Sequence, residues 1–196
     1  MTATLSKLDV PLMPLASRLE LDATSTSAIS GVETAAEAFD RLEASGCLNA
    51  AARLAAHGLP KREAVWWACM CARAVPDSSL PEGARAALHA AEAWVRKPTD
   101  DGLRRAAWEA AQGTDFRSPE AWSAVGAFWS GGSMSPEGQP VVPPADHLTA
   151  VAVSGAVILA SVRLRPELAS ARLARFLQSA RDIATGGPGR ISPEGA

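Results

Sequence analysis

Tyrosine is absent from this 196-residue chain, and histidine and cysteine occur only three times each. These shortages narrow the available chemistry. His57, His89 and His147 each lack a second histidine three or four residues away, so no helix offers a chelating histidine pair. Cys69 and Cys71 lie two apart, about 200° around a helix, and cannot share a metal from it. With Cys47 they make an odd number in apolar surroundings. That argues against a disulfide framework and fits reduced thiols in a cytoplasmic protein. Gly-x-Ser-x-Gly, a Walker loop, a dinucleotide fingerprint and a zinc spacing are all missing. The one glycine-rich run, Gly186-Gly187-Pro188-Gly189, follows a helical pattern, whereas a phosphate cradle precedes a helix. No catalytic residue, metal ligand or cofactor site is therefore expected.

Charge of one sign is also lacking. The net charge of −2 provides no global field for phosphates and argues against a nucleic-acid partner. The first twenty residues have no basic region leading into an apolar run, and Pro11 and Pro14 break the only candidate, so no signal peptide is expected.

Alanine, leucine and arginine are abundant, in patterns of helical period. The densest stretch is Leu59–Val75, LPKREAVWWACMCARAV. Nine consecutive apolar residues, Ala64 to Ala72, cover every side of a helix, which must then be wrapped by others. Leu148–Val162, LTAVAVSGAVILASV, is a second such element. At about 22 Å it falls short of a hydrocarbon core of about 30 Å, so it predicts a buried helix and no membrane insertion.

Further helices follow from spacing and punctuation. Ser30 with Glu33 reads as a capping box opening a helix that Gly46 closes. A second runs from about Cys47 to Ala56, ending at His57, where a helix C-terminus favours a cation. Ser79 with Glu82 opens a helix to about Arg96, Thr99 caps one to Gln112, Ser118 starts the next, and Asp146 caps Leu148–Val162. Pro166 restarts the last helix, to about Ala184. The expected fold is all-α, a single domain of about eight helices over residues 31–185. It would be orthogonal or bundle-like around two wholly apolar central helices. Residues 1–30 are expected to be extended or disordered, with disorder at Asp22–Ser30, and residues 186–196 to form a flexible tail.

The helical pattern fails at Gly131–Ala145, GGSMSPEGQPVVPPA. A proline-rich connection of this length is unusual inside a helical domain, and Val141-Val142-Pro143-Pro144 favours an extended segment. Phe128, Trp129, Met134, Val141, Val142 and His147 border or occupy it and form the candidate partner-binding set. Of the six tryptophans, four or five are expected in the core; Trp129, beside the loop, is the first choice for a surface contact.

The segments LPKREAVWWACMCARAV, AFWSGGSMSPEG and VVPPADHLTAVAVSGAV resemble a family of small all-helical proteins associated with type VI secretion gene clusters of Gram-negative bacteria. The resemblance covers about residues 45–185 and carries no catalytic residues. It implies a cytoplasmic accessory, adaptor or chaperone that handles an effector or spike component. The leading expectation is a non-enzymatic protein-interaction module, with another protein or a second copy of this chain as partner. The alternative is a small-molecule-binding or catalytic domain with a cavity near His147, Trp129 and Arg163.

Overall fold

The computed structural model describes residues 4–195. Two short helices, α1 (Met13–Ala16) and α2 (Ala23–Ala28), precede α3 (Ala35–Ala44), α4 (Leu48–Gly58), α5 (Lys61–Ala74) and α6 (Glu82–Arg96). Then come α7 (Asp101–Gln112), α8 (Pro119–Phe128), α9 (Leu148–Val162) and α10 (Ala169–Ala184). The described residues form no strand beyond an isolated bridge between Pro11 and Thr34. The all-helical expectation holds. No single helix among them is long and apolar enough to cross a membrane.

Helix α5 is the wrapped centre that its composition demands. Ala64, Val65, Trp67, Ala68, Cys69, Met70, Cys71 and Ala72 are buried. Its neighbours α4, α6, α8, α9 and α10 surround it. Trp67 is fully buried, and its indole N–H donates to the Phe176 carbonyl at 2.8 Å, joining α5 to α10. Cys69 and Cys71 are buried free thiols whose pKa values burial pushes up.

Helix α9 departs from its expected burial. One side, including Ala152, Val153, Ala156, Val157 and Ala160, is buried. The other faces outward: Val151 is 45% and Val162 38% exposed, and Ser154, Gly155, Ile158 and Leu159 are half-buried. An all-round apolar helix can thus have one apolar side against the core and another turned to solvent.

Both chain ends are more ordered than composition suggests. Leu5, Leu8, Leu12 and Leu19 are buried in the core. A Cβ added at Gly58 would lie 2.8 Å from Leu8 Cδ2, so this glycine lets the N-terminal segment lie close over the end of α4. The disorder expected at Asp22–Ser30 is replaced by α2, whose N-cap Asp22 accepts from the Ser25 N–H at 2.7 Å. Polar residues that bury little still form a helical turn once capped. The expected free tail is likewise anchored. Glu194 N–H donates to Ala74 O at 2.9 Å, and its carboxylate takes two 2.8 Å bonds from buried Arg172. Trp66, on the side of α5 that the tail crosses, donates to Pro188 O at 2.8 Å.

Several caps differ from the expected ones. Thr34, not Ser30, caps α3, accepting from Glu37 N–H; Asp100, not Thr99, caps α7. Ser79 bonds to Asp77 and leaves Pro81 at the start of α6. His147, without a side-chain cap bond, begins α9, while Asp146 pairs with Lys61 at 2.9 Å. Ser118 caps α8 and Gly46, at φ +70°, closes α3, as expected.

Candidate functional site

The connection between α8 and α9 is a built loop. Helix α7 supplies its base. Asp101 sits in the first turn of α7 and pairs with Arg104 and Arg105, three and four residues on. Those arginines reach the loop. Arg104, buried at 3% exposure, donates to Phe128 O at 2.9 Å and Ser133 O at 3.1 Å. Arg105 donates to Ser135 O at 3.1 Å. A guanidinium that satisfies several backbone carbonyls holds a segment lacking a hydrogen-bond ladder of its own.

Above this base the loop folds back on itself. Met134 N–H donates to Val142 O at 2.8 Å, and the Ser133 hydroxyl accepts from the N–H groups of Ser135 and Val142 at 3.1 Å. Gln139 N–H closes a turn onto Pro136 O. Gly132, at φ +64°, lies where a Cβ would stand 2.8 Å from the Arg104 guanidinium; only glycine combines that dihedral with that approach. The result is an ordered loop with Val141 75% and Val142 47% exposed.

The expected partner-binding residues divide accordingly. Met134 and Val142 are joined, and Val141 stands out to solvent. Phe128 is instead buried: its ring stacks on Trp108 at 4.8 Å, with Arg104 over it at 4.8 Å. It supports the loop from beneath, because α8 turns this position inward. Trp129 is half-buried and packs edge-on to Trp122 at 6.3 Å. His147 is half-buried at the start of α9.

The tryptophans are less buried than expected. Trp67 and Trp94 are fully enclosed, whereas Trp66, Trp108, Trp122 and Trp129 pack on the core with part of each ring outside it. Trp122 directs its N–H to Phe116 O at 2.9 Å. Such half-burial suits an amphipathic ring.

The alternative cavity does not form around its three proposed residues. His147 and Arg163 flank opposite ends of α9, about 24 Å apart along its axis. Arg163 is committed to buried Glu120 and to Val75 O at 2.8 Å. A cavity of about 560 Å³ does open at that C-terminal end, and Arg163 is part of its lining, with Leu80, Asp115, Arg117, Leu159 and Val162 among others.

His57 corrects a further expectation. Burial, then the charges of Arg18, His147 and Arg53, push its pKa down to about 4. It is neutral at pH 7, so desolvation and neighbouring charge outweigh the helix-end preference for a cation. The other enclosed charges are partnered: Glu92 with Arg73, Glu120 with Arg163, Arg172 with Glu194.

The profile of the Family of unknown function (DUF6931) matches residues 38–184, most of the chain. The chain belongs to this family. The DUF6931 region begins within α3, ends with α10, and contains α9, the loop and its arginine base. No curated protein and no solved structure matches the chain.

Proposed function

We propose that this DUF6931 protein is a non-enzymatic adaptor that docks another protein through the loop at residues 131–145. The observation that carries the reading is exposed Val141 and Val142 on a loop that Arg104 and Arg105 hold in place. Ordering a flexible loop on binding costs roughly 0.5–1.5 kcal/mol per immobilised side chain. A clamped, proline-rich loop has met much of that cost beforehand. The favoured partner is a protein with an apolar patch able to cover the two valines. Satisfied ion pairs at Glu92, Glu120 and Arg172 support structural roles for the buried charges. The finer reading, a cytoplasmic type VI secretion accessory or chaperone acting on an effector or spike component, rests on the resemblance of the three segments alone.

The test replaces residues 134–144 with a Gly/Ser linker of equal length and compares capture of proteins from the native host. With helical content and melting retained, the reading expects loss of specific partners. Undiminished capture of every specific partner would remove the loop from the account.

A further inference from the structure

A surface distinct from the loop carries a further reading. The outward side of α9 has no charged residue across fifteen positions, and Val151 and Val162 lie open on it. A helix side facing water ordinarily carries charged and polar residues, and a contiguous exposed apolar patch marks an interaction site.

We propose that this side pairs with the same side of a second copy, antiparallel, about a two-fold axis at Gly155. Three observations select a second copy. First, the apolar positions are arranged symmetrically about Gly155. Leu148 and Val162 lie seven residues to either side, and Val151 and Leu159 four. An antiparallel pair therefore sets Leu148 against Val162 of the other copy and Val151 against Leu159, the self-complementarity a two-fold contact requires.

Second, the centre carries no side chain. Gly155 is half-buried, with Trp122 beside it at an ordinary contact distance of 4.0 Å from a built Cβ, and the missing side chain lets another backbone come close. Third, each end carries an exposed ion pair. Asp146, its side chain 90% exposed, pairs with Lys61 at 2.9 Å at the N-terminal end; Arg165 and Glu167, 64% and 62% exposed, pair at 3.0 Å beyond the C-terminal end. Antiparallel pairing sets the two ion pairs side by side, so that Asp146 can share Arg165 and Glu167 can share Lys61, and opposes the two helix dipoles. Arg18, which also acts on Asp146, adds a positive charge facing Glu167.

A contact centred on one helix of about 22 Å is small, so the dimer is expected to dissociate on dilution. Sedimentation of the full chain from low-micromolar to near-millimolar concentration should show a monomer–dimer equilibrium. Val151→Glu, at an exposed position, should raise the dissociation constant at least tenfold, equivalent to about 1.4 kcal/mol. Circular dichroism would show whether it folds.

A second measurement avoids a buried charge. In a Cys47→Ser background, Leu148→Cys and Val162→Cys copies are mixed with a short bismaleimide. The mixture should cross-link far more than either copy alone. A chain that stays monomeric throughout would overturn the proposal, as would a dimer indifferent to Val151→Glu. Leu148→Cys cross-linking alone as well as in the mixture would overturn the antiparallel arrangement. Loss of a host partner through Val151→Glu without self-association would assign the face to a different protein. Every variant leaves residues 131–145 intact, so this outcome and failure of the loop reading are separable.

Discussion

Replacing Trp67 by alanine removes the largest fully buried side chain and the indole N–H bond to Phe176 O that ties α5 to α10. Truncating a buried aromatic costs about 3–5 kcal/mol through lost transfer energy and the residual cavity. Phe176 O lies within α10 and keeps its helical partner, so loss of the indole bond adds about 0.5–1.5 kcal/mol. These terms overlap, so a total of about 4–6 kcal/mol is expected, comparable to the whole stability of many domains. Trp66 is the built-in control. It is half-buried and its N–H meets the tail at Pro188, so Trp66→Ala should cost about 1–3 kcal/mol. Urea unfolding followed by circular dichroism reads both losses as midpoint shifts at constant slope. Trp67→Phe keeps most of the packing and isolates the lost bond. A loss below about 1 kcal/mol in Trp67→Ala, or equal losses at the two tryptophans, would refute the placement of α5 at the centre.

Stability should fall with pH before the carboxylates titrate. His57 has a folded pKa of about 4 against an ordinary 6.5, so its unfolded form binds the proton first. Its contribution is complete above pH 6.5 and declines as pH drops towards 4. His57→Gln should flatten melting temperature between pH 6.5 and 5, and an NMR titration should find the imidazole neutral at pH 5.5. Gly132→Ala forces a left-handed dihedral and a Cβ against Arg104; it should cost about 1–2 kcal/mol and speed amide exchange at Met134, whereas Gly131→Ala, with open space around it, should be near neutral. Glu194→Gln removes the carboxylate facing Arg172 and should cost about 1–3 kcal/mol in denaturant unfolding, visible also as faster exchange of the Glu194 amide.

Helix existence was legible because alanine and leucine spacing, proline and glycine all agree, as they do around Gly46 and Ser118. Caps were less legible. Ser30-x-x-Glu33 has the spacing of a capping box, but Gly31 turns the chain at φ +72° and Glu33 O accepts from Leu12 N–H, so α3 starts later at Thr34. The exposed valines were visible in the loop's composition. The arginines that organise it were not, because Arg104 and Ser133 meet across 29 residues. Phe128 shows the same limit: only the position of α7 tells that Trp108 covers it. The outward side of α9 was hidden by its own apolarity, since an uncharged helix gives no periodicity to separate a core side from a docking side.

Docking of a protein through the two valines of the clamped loop, as proposed, is tested by quantitative affinity capture from the native host, comparing the wild-type chain with Val141→Asp/Val142→Asp. Both side chains are exposed, so the fold and melting temperature should be unchanged. Capture of a specific partner should fall at least tenfold, the equivalent of about 1.4 kcal/mol, in the double variant. Equal capture of every specific partner by the two proteins would contradict it.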